Sequence, residues 1–183
     1  SVMSTPMTCP VSPTFFAARK QSKPPPDPRS NTVSPSLMEY FGTSARNIMA
    51  TRALGPGSLV MEAASNDGYM LRHFADAGIA VLGIDPAEEQ TKAAIAKGVD
   101  SLNTFFCLEL AQKLAQEGKR ADVFLANNVL AHVADLNGFV AGIATLLAES
   151  GIAVIECPHL MRLIEHCEFD TIVLWCYLRI LPR

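Results

Sequence analysis

The stretch VMEAASNDGYMLRHF, residues 60–74, decides how this chain folds. An apolar run ends on Glu62, a short polar patch closes on Gly68, and Met70, Leu71, Phe74 and Ala77 then recur at helical spacing up to Gly78. This is the pattern of a strand that feeds a ligand-binding turn and then a helix. Outward from it the same alternation repeats. A helix is predicted over 43–54, capped by Thr43 or Ser44 and stopped by Gly-Pro-Gly at 55–57. Strands are predicted at 58–63, 79–85, 99–103, 121–128 and 152–158, and helices at 67–78, 87–98, 107–118, within 135–151 and at 159–167. The strands are apolar throughout rather than alternating, which marks strands buried on both faces. With right-handed crossovers, the expected fold is α/β, a doubly wound Rossmann-like parallel sheet with helices on both faces.

Composition narrows the partners. The chain has 183 residues and a net charge of −3, enough for one domain with a substantial core. No basic block is present, which argues against nucleic acid as the main partner. Mean hydropathy is +0.21, yet no run approaches the ~20 apolar residues of a membrane span, so no membrane association is expected. Cys9, Cys107, Cys157, Cys167 and Cys176 form no C-x-x-C pair, and reduced thiols in a cytoplasmic protein are expected. His159, His166 and Cys167 lie close in sequence but lack a second cluster to complete a tetrahedral site, so no metal is expected. Residues 1–36 are dense in Pro and Ser and poor in aliphatic residues, and are expected to be a disordered arm. The folded domain is placed at 37–183.

Ligands of doubly wound sheets sit beyond the carboxyl ends of the strands. Two features fall there: the turn EAASNDG, residues 62–68, and Asp85, 17 positions after Gly68. A carboxylate ending the second strand is placed to accept hydrogen bonds from both ribose hydroxyls of an adenosine. Gly68 would let the backbone approach a ligand. A dinucleotide fold would carry G-x-G-x-x-G at this turn, because a pyrophosphate needs several close amides; that pattern is missing, which sets aside a nicotinamide-dependent oxidoreductase. Glu62 and Asp67 stand there instead. They would repel a pyrophosphate and attract a ligand bearing an ammonium and a sulfonium, as S-adenosylmethionine does. The plainer alternatives are that Asp67 N-caps the next helix and that Asp85, before Pro86, only ends a strand. Asn127 and Asn128, paired amides ending an apolar strand, suit a ligand better than a core; their plainer role is to open the loop.

Residues 54–172 resemble the class I S-adenosylmethionine-dependent methyltransferases. More narrowly, they resemble the C-methyltransferase family that methylates nucleotide-linked deoxysugars in antibiotic biosynthesis. The segments that carry the resemblance are EAASNDGYMLRHF, GIDPA, NTFFCLELAQKL, ADVFLANNVLAHVADLNGFVAGI and IECPHLMRLIEHCEFDTI. Asp67 is a cofactor-binding candidate by its charge; the resemblance implies that Glu62, Ser65, Asn66 and Gly68 line the methionine side of S-adenosyl-L-methionine. It implies that Asp85 holds the ribose with Pro86 shaping that turn, and that Phe105 and Phe106 flank the adenine. Asn127, Asn128 and Leu130 would face the reaction centre, with His132 as a candidate catalytic group. The implied partner is a small molecule such as a nucleotide sugar.

The chain also departs from that family. An N-terminal zinc module built on cysteine pairs has no counterpart in residues 1–36, which hold Cys9 alone. Tyr40 and Phe41 stand where the family has aromatic residues that close over the cofactor, and Cys107 stands where a glycine is expected. After FDTI the family continues Tyr-His-Glu-His, which supplies acid and base groups for carbon methylation. This sequence reads VLWCYLRILPR instead. A truncated or frame-shifted product is therefore expected, with a sheet incomplete at its C-terminal edge and TIVLWCYL, residues 171–178, improvising a covering strand. The alternative to an active methyltransferase is a non-catalytic cofactor-binding fragment that lacks the general base.

Overall fold

The computed structural model describes residues 35–156 and the two strands 172–175 and 177–180, with side chains described for 39–156. The expected arm up to residue 34 and the helical stretch expected at 159–167 lie outside the described residues. Helix α1 (Pro35–Arg52) begins eight residues earlier than its sequence signal at Thr43. Pro35 explains the start: proline fits the first helical position, where its missing N–H is not needed. Then follow β1 (Leu59–Ala63), α2 (Leu71–Ala75), β2 (Ala80–Asp85), α3 (Glu88–Ala96), β3 (Ser101–Asn103), α4 (Leu108–Gln116), β4 (Ala121–Asn127), a 3-10 turn (Leu130–His132), α5 (Leu136–Leu146) and β5 (Leu147–Glu156). Strands β6 (Ile172–Trp175) and β7 (Tyr177–Ile180) complete the described chain.

One seven-stranded sheet runs in the order β3-β2-β1-β4-β5-β7-β6. The first five strands are parallel. The β5 edge, for which TIVLWCYL at 171–178 is the expected cover, carries β7, antiparallel to β5 from Ala153↔Ile180 to Ile155↔Leu178, and then β6, antiparallel to β7. The apolar strands bury both faces, as their unbroken hydrophobicity predicts. Met61, Ala63, Phe124 and Ala126 pack with α4 and α5 through Leu110, Leu114, Phe139 and Ile143. Their chain neighbours Val60, Val123 and Leu125 pack the other way, with Phe41 and Ala45 of α1, Leu71 and Phe74 of α2 and Ala94 of α3. The period-two alternation thus divides one sheet between two cores.

Helix α2 is five residues long where twelve were expected. The residues before it are committed to another conformation: Ala64, Asn66 and Gly68 have φ of +57°, +50° and +74°. A left-handed backbone does not propagate a right-handed helix. Asp67 accordingly does not cap α2; its carboxylate pairs with Lys97 Nζ at 2.5 Å. Strand order reverses between β1 and β4, so the carboxyl ends of these two strands flank the crevice where such sheets bind ligands.

Cys107 is disulfide-bonded, which corrects the expectation of reduced thiols at that position. Cysteines distant in sequence can meet through the fold without C-x-x-C spacing. No helix among the described residues is long and apolar enough to cross a membrane.

Candidate functional site

The crevice is built on the turn after β1. Ala64 N–H donates to Ile84 O of β2 at 2.9 Å, which turns the chain over the neighbouring strand. Asn66 then donates its backbone N–H to Asp85 Oδ2 at 2.9 Å, and its side-chain amide reaches back to Ala64 O at 2.9 Å. Asparagine tolerates the left-handed region because its short amide satisfies the local backbone. Gly68 closes the turn, its N–H on Ser65 O at 3.0 Å. Its lack of a side chain is required twice. Its φ is left-handed, and a Cβ would lie 3.0 Å from Val99 Cγ2. The close approach is thus to Val99, beside β2, rather than to open space.

Asp85 is a brace as well as a candidate ligand. It is buried; Oδ2 takes the Asn66 amide and Oδ1 takes the Ala87 amide at 2.8 Å. It therefore ties the turn after β1 to the turn after β2. Each carboxylate oxygen keeps a further lone pair for a donor. Pro86 is exposed beside it. Ser65 is buried with its Oγ unpartnered over Gly83, where an added Cβ would lie 2.5 Å from that oxygen.

Glu62 is the least ordinary group of the site. It is 1% exposed, and Asn127 Nδ2 donates to its Oε1 at 2.8 Å. Its Oε2 is buried without a hydrogen-bond partner. Burial pushes the Glu62 carboxyl up to about 8; the Asn127 amide opposes this, and the Asp85 charge adds to it. Burial also raises Tyr69, which feels the charges of Glu62, Glu156, Asp67 and Asp85. Tyr69 and Glu156 are members of the cluster that sequence reading missed. The signals were present: Tyr69 directly follows Gly68, and Glu156 ends an apolar strand as Glu62 does. In register Glu156 lies opposite Asn127, and its carbonyl accepts the Asn128 N–H at 2.8 Å.

The remaining candidates divide. Asn127 joins the cluster through Glu62. Asn128, with φ of +54°, is exposed at the mouth. Leu130 is 3% exposed within the core, and His132 is exposed at the end of the 3-10 turn. Phe105 is partly exposed. Phe106 instead packs against Phe124 and Phe139, with ring centroids 4.9 and 5.0 Å apart. From α1, Phe41 packs at a tilt on Tyr69 with ring centroids 4.7 Å apart, so one aromatic residue before β1 reaches the turn, while Tyr40 meets Phe41 edge-on at 5.5 Å. Among the described residues no group of three or more His, Cys, Asp or Glu is arranged to hold a metal ion.

This fold, with its crevice between β1 and β4, is that of the class I S-adenosylmethionine-dependent methyltransferases. The match is seen in YjhP from E. coli, with a TM-score of 0.53 at 21% identity over 69% of this chain and 51% of that one. It is seen also in the plantazolicin methyltransferase BpumL, solved with SAH, with a TM-score of 0.51 at 17% identity over 63% and 44%. Residues 61–153 match the methyltransferase domain family, and the chain belongs to it. In sequence it is 34% identical to the C-methyltransferase NovU of Streptomyces niveus over 119 residues, covering 65% of this chain and 28% of NovU. It is 26% identical to a ubiquinone biosynthesis O-methyltransferase of Azorhizobium caulinodans, over 85% of this chain and 59% of that protein. The chain therefore spans less than two thirds of the length of either relative.

Proposed function

We propose that this crevice binds S-adenosylmethionine and that the chain, from α1 onward, forms the cofactor-binding domain of a methyltransferase acting on a small molecule. The observation that carries the reading is Glu62: a buried carboxyl with one oxygen unpartnered, at the strand-order reversal, within range of Asp85. A cofactor with a cationic amino-acid end and a ribose fits that donor set. Glu62 and the Asn127 carbonyl oxygen would meet the cation, and Asp85 would accept from the ribose. Phe105 is the more accessible of the two phenylalanines for the adenine. The cofactor supplies a methyl group on a sulfonium, open to in-line displacement. The protein's share is placement. The two latched turns fix where the ribose and amino acid lie, and Phe41 and Tyr69 shield that end from water.

Carbon methylation of a nucleotide-linked deoxysugar is the finer reading, supported by the 34% identity to NovU. Carbon transfer also needs a base to generate the nucleophile. His132 is the candidate for that role, exposed on the 3-10 turn next to the crevice. A second reading, a non-catalytic cofactor-binding chain, is favoured by VLWCYLRILPR at 173–183, where the base-bearing segment is expected.

Calorimetric titration with S-adenosylmethionine tests the proposal. Micromolar binding is expected, weakened ~10–100-fold in Asp85→Asn, since a hydrogen bond to a charged group is worth about 1.5–3 kcal/mol. A folded protein that binds no S-adenosylmethionine would overturn it. Transfer of a labelled methyl group to a nucleotide deoxysugar, lost in His132→Ala, then separates the active reading from the non-catalytic one.

A further inference from the structure

The Glu62 cluster has a charge imbalance that the described protein does not resolve. The titratable groups that act on Glu62 are Asp85 from β2 and Tyr69 from the turn, and Tyr69 in turn feels Asp67 and, from β5, Glu156. All are acids. Asp67 is paired with Lys97. Among the described residues no basic side chain pairs with Glu62, Asp85 or Glu156. Asp85 has backbone amides on both oxygens. Glu62 has one amide on Oε1 and nothing on Oε2, at 1% exposure. A buried carboxylate without a cation or further donors is costly, and the inexpensive solution is to hold a proton.

Resting on the function proposed above, we infer that the Glu62 carboxyl is a proton-exchange seat: it keeps its O–H while the crevice lacks a cation, and loses that proton to solvent when the ammonium of a bound ligand takes its place. Binding of a cationic ligand is then coupled to release of one proton, and its affinity falls as the solution is acidified. The high position of the Glu62 carboxyl, about 8, agrees with this. At pH 7 most molecules carry the proton to be displaced, and below that the apparent affinity changes about tenfold per pH unit. A neutral ligand displaces nothing. The seat would thus favour the amino-acid-bearing cofactor over its uncharged adenosine fragments.

The test is calorimetry on the full chain at pH 7 in phosphate and in Tris, buffers whose ionisation enthalpies differ widely. S-adenosylmethionine should release close to one proton per site, and 5′-methylthioadenosine, which has no amino-acid group, should release none. Glu62→Gln should bind with the same enthalpy in both buffers. Should that variant fail to fold, infrared difference spectra of the unmodified protein serve instead, where the carbonyl band of a protonated carboxylic acid should disappear on binding. Binding of S-adenosylmethionine with equal enthalpy in both buffers would overturn the proton exchange while leaving the proposed function standing. No binding by a folded protein would remove both.

Discussion

Glu62 links the sequence, the fold and the chemistry through one side chain. Its folded carboxyl lies at about 8 against an ordinary 4.5, so over that interval the folded state holds a proton that the unfolded chain has given up. The unfolded state then binds fewer protons, and stability falls as pH rises from about 4.5 to about 8 and levels off above. In the absence of ligand, thermal unfolding of the native chain should therefore drop by several degrees between pH 5 and pH 8 relative to Glu62→Gln. Parallel melting curves for the two proteins would sink the assignment. Asp85 behaves differently. Replacing it by alanine strands two backbone amides at a cost of about 1–3 kcal/mol each, so loss of binding in that variant would be ambiguous. Asp85→Asn retains one acceptor oxygen and is the cleaner probe. Asp85 and Gly68 could be singled out from the sequence because strand ends and glycine leave marks there. The bracing role of Asp85 was hidden, because it depends on which amides the second turn brings within reach.

At the scale of elements, the turn between β1 and α2 is constrained both by conformation and by space. Gly68→Ala would place a Cβ at a left-handed φ and 3.0 Å from Val99. The conformation alone costs roughly 1–2 kcal/mol. The urea midpoint should fall accordingly, and adding Val99→Ala should recover the contact but not the backbone cost. A double variant with the native midpoint would show that packing alone matters. Elements with long periodic signals were legible: β1, β2, β4, α4 and α5 lie where the alternation of apolar runs puts them. The short α2 was not, since Ala64 and Asn66 give no local warning that they adopt positive φ. The early start of α1 was obscured because Pro35 closes a proline-rich run and reads there as a breaker.

For the molecule as a whole, two cores share one sheet, and Phe124 sits at the centre of the α4/α5 side, fully buried against Phe106. Phe124→Ala should cost about 3–5 kcal/mol, read as a lowered denaturation midpoint. The β7–β6 pair covers the β5 edge, so removing residues 172–183 would expose an apolar parallel-sheet edge of the kind that recruits other strands. Concentration-dependent association of that shortened chain in sedimentation is expected, and a clean monomer would show that β5 needs no cover. The parallel order was readable from the crossover pattern, and so was the covering segment at 171–178, but not its division into two antiparallel strands, because short edge strands are set by their neighbours. The shared carboxylate between the first two turns has one more consequence, a kinetic one. The amides of Asn66 and Ala87 are 21 positions apart, yet both are hydrogen-bonded to the oxygens of one buried side chain. Neither can open to solvent while the latch is shut, so their deuterium uptake should be slow and should accelerate together. These two amides thus form a paired clock for the opening of the crevice, readable by exchange measurements with no ligand present.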